Sequence, residues 1–434
     1  MPLLGAANAA LLVVAHVCKG ASTEVKGTAP FGQLRPHTVT DDNLFSAIGR
    51  LSEAHVWFMV FIVAVLSGMW PYLKIAATLA TVGFVDAGYL SKTTCHQTLR
   101  ALEVLGKYSF ADVFLICFNM VIFEISTGGE YRIMLFGKFE LDLFMQLKFG
   151  AVALITAVAF STLLTHWAAF EIELLLDQCS NSHLVEESIP LLVQEADLHS
   201  GGRLTEESVE SGVPMAVQDA SWIRQAMALA AAGGLAALAF GVWLPMLDID
   251  RGGFLGHIIR PPESRDLHMS VWSISSTMLT SATAKMDLAY LFFAVLFVLL
   301  TVTAPLLEFV AIIACAMSGV QTRWQKRVAL VAEWLSSIGC IDVLLLVCLA
   351  TLFEVQMVVD FNVGRECAAF ADIMNDKVVL GLAGLGFAAS SSCFELVPRL
   401  RMGWWYLLCS IILRSLAWRL QSMRKQAAFP VVPP

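Results

Sequence analysis

"RALEVLGKYSFADVFLICFNMVIFEI", Arg100 to Ile125, aligns without a gap on "LVAEWLSSIGCIDVLLLVCLATLFEV", Leu330 to Val355. The alignment sets Glu103 on Glu333, Asp112 on Asp342 and Phe123-Glu124 on Phe353-Glu354. Upstream of each block lies a second matching pair, "LSGMWPYLKIA" (Leu66–Ala76) and "LTVTAPLLEFVA" (Leu300–Ala311). In both, a proline interrupts an apolar run and a charge follows three residues later: Pro71 with Lys74, and Pro305 with Glu308. A third echo closes each half, "AAFEIE" with Glu171 against "SCFELVP" with Glu395. Self-similarity on this scale reads as duplication of one structural unit.

The composition says what kind of unit. Hydrophobic residues make up 57% of the 434-residue chain and charged residues only 15%, with a mean hydropathy of +0.71. These values lie outside the soluble globular range and indicate a multi-pass membrane protein. The net charge of −8 comes largely from one acidic hydrophilic segment, and no basic patch points to nucleic acid. None of the ten cysteines forms a C-x-x-C pair, and several sit inside apolar runs, so neither a zinc site nor a disulfide framework is expected.

A helix needs roughly 20 apolar residues to cross the hydrocarbon. On that measure spans fall near 2–18, 54–84, 108–128, 147–170, 222–246, 286–318, 333–358 and 377–397. The first is short, and could instead be a signal peptide or a truncated start, but it lacks a basic n-region and the repeat calls for a span there. Between the fourth and fifth spans, "DQCSNSHLVEESIPLLVQEADLHSGGRLTEESVESG" reads as a disordered linker. The tail "GWWYLLCSIILRSLAWRLQSMRK" carries Arg414 and Arg419 within its apolar run, which reads as a helix lying in the interface. The expected fold is therefore all-α: about eight transmembrane helices in two parallel four-helix modules (1–171 and 222–398), a linker (172–221) and a basic amphipathic tail (399–434). Two such copies related by a pseudo-twofold axis along the membrane normal place a substrate path at their interface. Short loops with Lys92, Arg100 and Lys107, then Arg323, Lys326 and Arg327, predict a cytoplasmic side that also holds both termini.

These blocks resemble the paraquat-inducible protein A (PqiA-like) family of integral membrane proteins. The resemblance rests on the Pro71 and Pro305 segments, on "LGKYSFADVF", which looks like the family's "lGrWSmlDVF" signature, on "GVWLPMLDIDRGG", and on "FELVPRLRMGWW". It implies a duplicated membrane module that works with an elongated partner protein in moving lipids between membranes. The chain departs from bacterial members in lacking their cysteine-rich zinc-ribbon segments and in carrying the acidic linker. In that linker "EESIPLL" fits an acidic dileucine sorting signal at Glu187, Leu191 and Leu192, which would imply a eukaryotic endomembrane; the plasma or inner membrane is the alternative.

Ionisable groups inside a membrane are costly unless paired or hydrated, which makes each a candidate for function. Lys74 and Glu308, equivalent in position and opposite in charge, could pair in a polar centre opened by the two proline kinks, or could snorkel to the interface. Asp112 and Asp342 are candidates for the same site; for Asp112 the rival reading is an S-x-x-D capping box with Ser109. Glu124 and Glu354 either line a cavity or mark the far interface. His166 reads as an interhelical hydrogen-bonding group. No nucleophile elbow, metal-ligand spacing or phosphate loop is present in the sequence, so no enzyme and no cofactor are expected. The leading expectation is a transport component handling membrane lipid or a lipid-like amphiphile; the rivals are a proton- or ion-coupled solute transporter and a scaffold without transport activity.

Overall fold

The computed structural model describes residues 2–29, 32–123, 125–126, 131–133, 137–172, 216–252, 266–285, 287–318, 323–357 and 395–428. Most of the 172–221 linker with its dileucine motif, residue Glu124, and the 377–394 part of the expected last span lie outside them. Among the described residues five helical stretches are long and apolar enough to cross a membrane: Trp57–Val85, Phe149–Ile172, Ser221–Trp243, Leu288–Met317 and Arg327–Met357. The chain is an integral membrane protein of mostly helical architecture.

The first half opens with α1 (Pro2–Val17), a shorter apolar helix, followed by strands β1 (Ala21–Ala29) and β2 (Gly32–Asp42). A short amphipathic helix α2 (Leu44–Glu53) leads into α3 (Trp57–Phe61), a π-helical segment (Ile62–Met69) and α4 (Trp70–Asp86). Next come α5 (Lys92–Gly106), a 3-10 turn (Lys107–Phe110) and α6 (Ala111–Phe123). Strands β3 (Ile125–Ser126), β4 (Tyr131–Ile133) and β5 (Gly137–Leu147) then return the chain to α7 (Phe149–Ile172).

The second half runs in the same succession. Helix α8 (Ala216–Trp243) is followed by β6 (Leu247–Gly252), β7 (Asp266–Met269) and α9 (Val271–Lys285). Then α10 (Leu288–Val298), a π-helical segment (Leu299–Thr303) and α11 (Ala304–Met317) form one long helix. Amphipathic α12 (Arg323–Ile338) precedes α13 (residues 341–357), and β8 (Glu395–Leu400) delivers the chain to α14 (Met402–Ala428).

The prolines explain the π-helical segments. Proline has no N–H to donate, and its ring clashes with the carbonyl four residues back, Ser67 for Pro71 and Thr301 for Pro305. In both helices the turn immediately before the proline widens to π geometry, which relieves the clash without ending the helix. Both prolines are buried, and in each helix the turn after the proline carries the charge.

Two findings differ from the all-α reading. The first is a pair of antiparallel sheets: five strands with β2-β1-β5-β3 in order and β4 also on β5, and three strands in the order β7-β6-β8. In each half a strand leaving the first helix pairs with the strand entering the last, Ala21 opposite Leu147 and Leu247 opposite Leu400. The second concerns the tail. Helix α14 does not lie flat in an interface but runs antiparallel along α8. Gly403 meets the carbonyls of Leu244 and Pro245, Leu407 packs on Gly241, and Ser410 Oγ donates to the Gly234 carbonyl at 3.0 Å. At the other end Arg424 lies within electrostatic reach of Arg224 and donates to the Cys315 carbonyl at 2.9 Å. Residues 403–424 therefore cover about 30 Å of helix axis, the depth of the span they accompany. The arginine taken as a sign of interfacial placement, Arg414, is only 6% exposed. It is compensated inside the bundle.

Candidate polar centre between the two halves

Lys74 projects from α4 one turn beyond Pro71 and is 1% exposed. Its ammonium donates to Thr162 Oγ1 on α7 at 3.2 Å, with Glu103 and Cys340 within electrostatic reach. The side chain fits because Gly106 on α5 has no Cβ: an added one would lie 2.7 Å from Lys74 Cε. Glu103, 2% exposed, accepts from His166 Nδ1 on α7 at 2.6 Å and from Arg100 Nη1 at 3.3 Å. Arg100 in turn pairs with Glu333 on α12, which carries the chain of charges across to the second half.

Glu308 is fully buried on α11 and faces α14. Trp418 Nε1 donates to its Oε1 at 2.7 Å, and Arg414 Nη1 stands 3.5 Å from its Oε2. Between these groups Lys107, at the start of the 3-10 turn, pairs with Asp342 in the first turn of α13. The Tyr108 hydroxyl also bonds Asp342. Lys107 is electrostatically coupled to Glu308, and Cys340 is coupled to Lys74, Lys107, Asp342 and Arg414 alike. These groups form one polar cluster at the meeting of the halves.

The sequence candidates distribute as follows. Lys74, Glu308 and Asp342 belong to the cluster, but Lys74 and Glu308 do not bond each other: each finds its hydrogen bonds within its own half. Neither snorkels. Asp112 lies beside Ser67 of the π-helical segment rather than in the cluster. The Ser109–Asp112 capping box is not formed; Ser109 Oγ is buried without a hydrogen bond. The 3-10 turn joins α5 to α6 without interruption, so α6 has no free N-terminus to cap. Glu354 has a role that was not foreseen: its carboxylate accepts from the Phe58 and Met59 N–H groups at 2.8 and 2.6 Å. It thereby caps α3 of the opposite half, whose own N-cap residue, Val56, supplies no side-chain bond. His166 makes the interhelical bond expected of it.

Arg414, Trp418 and Lys107 are not among the expected site residues: in the sequence Arg414 reads as a mark of an interfacial tail and Lys107 as a loop cation. Arg414 and Trp418 are spaced i, i+4 on one face of α14, a signal that becomes readable once that helix is placed in the bundle. Among the described residues no group of three or more His, Cys, Asp or Glu side chains is placed to hold a metal ion.

The family of paraquat-inducible protein A matches residues 4–173 and 266–375, which cover both copies of the Asp-containing block. The chain belongs to the PqiA family. The matched ranges leave out α8 and α14, the antiparallel pair that supplies Arg414 and Trp418. No curated protein and no solved structure matches the chain.

Proposed function

We propose that this PqiA-family protein is a membrane transport component that moves lipid or a lipid-like amphiphile along the interface of its two halves. The observation that carries this reading is the concentration of buried ion pairs at that interface, Lys107–Asp342 and Arg414–Glu308 with Lys74 beside them. A charge in hydrocarbon costs several kcal/mol unless paired, and a bundle built only for stability is served as well by apolar residues. A polar centre inside an apolar helical bundle suits a molecule with a polar head and apolar tails. In this reading the two halves are parallel four-helix copies, α14 completes the second, and an elongated lipid-transfer protein accepts the cargo. The side that carries α5, α12 and the basic ends of α8 and α14 is assigned to the cytoplasm.

Flux of a fluorescent phospholipid across proteoliposomes tests the proposal. The wild type is expected to move the lipid, and Lys74→Ala or Glu308→Ala to abolish movement when equal amounts of folded protein are compared. Wild-type flux in both variants would sink the assignment of the site.

A proton- or ion-coupled reading is favoured by one observation. Among the described residues no cationic side chain pairs with Asp112, which instead has the Ser67 hydroxyl as its hydrogen-bonding neighbour. Coupling there predicts a pH-dependent flux that Asp112→Asn removes.

A further inference from the structure

Outside the polar centre, an apolar groove of about 500 Å³ opens between α7, α12 and the start of α1. Its walls include Phe160, Leu163, Trp167, Phe170, Val331 and Trp334, and among the described lining residues His166 is the one ionisable group. The imidazole stands 6.4 Å from the Trp334 ring, centroid to centroid. His166 lies six residues before the end of α7, about 9 Å along the helix axis, which places it near the membrane surface.

The chemistry around His166 defines the head of a ligand. Nδ1 is held by the Glu103 carboxylate at 2.6 Å, so Nδ1 donates and Nε2 is the ring's remaining polar atom. Nε2 accepts when the ring is neutral and donates when it is protonated; a hydroxyl matches both states. The charges behind the ring are taken up among themselves, Arg100 pairing with both Glu103 and Glu333. A phosphodiester is recognised through Arg or Lys, and among the described lining residues there is neither.

The walls define the body. Two indoles and two phenyl rings offer flat faces, and a rigid fused-ring body packs on them while surrendering little of the conformational entropy that a flexible acyl chain loses. We propose that this groove is a sterol-binding site, with the 3-hydroxyl on His166 Nε2 and the ring system along Trp167 and Trp334. The site does not depend on the transport reading, because its occupancy is measured as binding whether or not the chain moves any lipid.

The test uses the full-length protein in membranes with a photoreactive, clickable cholesterol, and a photoreactive phosphatidylcholine as the comparison. Mass-spectrometric mapping is expected to find the sterol on peptides containing Phe160–Phe170 and Leu330–Trp334, competed by unlabelled cholesterol. Leu163→Trp fills the groove without touching the charged residues and is expected to remove that label. His166→Ala removes one hydrogen bond and is expected to weaken competition about fivefold. Equal labelling by phosphatidylcholine that cholesterol does not displace would mean bulk lipid only and would overturn the site. Sterol labelling that survives Leu163→Trp would do the same, and unchanged competition in His166→Ala would overturn the assignment of the hydroxyl.

Discussion

Glu308 has no exposed surface, and the guanidinium of Arg414, 3.5 Å away, is what offsets its charge. Removing one partner of a buried pair leaves an uncompensated charge, a loss of about 3–5 kcal/mol, whereas removing both is close to neutral. Arg414→Met is therefore expected to lower the unfolding temperature in detergent sharply, and Arg414→Met with Glu308→Gln to regain most of it. Equal losses in the single and double variants would show that the pair does not couple. Lys74 is confined differently, by the missing Cβ of Gly106. Gly106→Ala is expected to push the ammonium off Thr162 and to reproduce the functional loss of Lys74→Ala, read as lipid flux, while the protein still folds. The charged positions Lys74, Glu308 and Asp342 were legible because an ionisable residue in an apolar run stands out. Their partners were not: Thr162 and Trp418 are ordinary residues in apolar helices, and only the packing of α4 on α7 and of α14 beside α11 makes them partners.

Among the elements, the two strand pairings govern how the helices meet. Gly150 and Gly403 each sit near the start of a helix where the paired chain crosses closely: an added Cβ would lie 2.6 Å from the Cys18 and Lys19 carbonyls, or 2.7 Å from the Pro245 carbonyl. Backbone cannot give way as a flexible side chain does. Gly150→Ala and Gly403→Ala are each expected to destabilise the fold by well over the roughly 1 kcal/mol of an ordinary helix substitution, measured as a fall in unfolding temperature. The strand β5, "GKFELDLFMQL", shows the alternation of a half-buried strand from Phe139 to Asp142, so part of the sheet was readable. Its partner β1, "ASTEVKGTA", has no apolar face to read. The cap on α3 was illegible for another reason, since Glu354 reaches it from nearly three hundred residues away. Glu354→Ala removes two charge-assisted bonds and is expected to cost about 1 kcal/mol or more, with faster hydrogen exchange at the Phe58 and Met59 amides as the local signature.

For the whole molecule, Arg100–Glu333, Lys107–Asp342 and the Glu354 cap tie the halves together at three places, while Arg414–Glu308 stays inside the second half. In both copies the proline follows a π-helical segment, and the Asp-containing blocks and the prolines were visible as repeated sequence. The place of the last helix was not, because two arginines in an apolar run argue for the interface until a buried carboxylate is found to receive one of them. The measurement closest to the central claim is a mass-spectrometric comparison of the lipids retained by the purified wild type and by the Lys74→Ala, Glu308→Ala double variant, each against the bulk membrane. The account predicts selective enrichment in the wild type that is lost in the variant. A retained lipid profile that follows the bulk membrane in both proteins would contradict it, and the buried charges would then serve assembly rather than cargo.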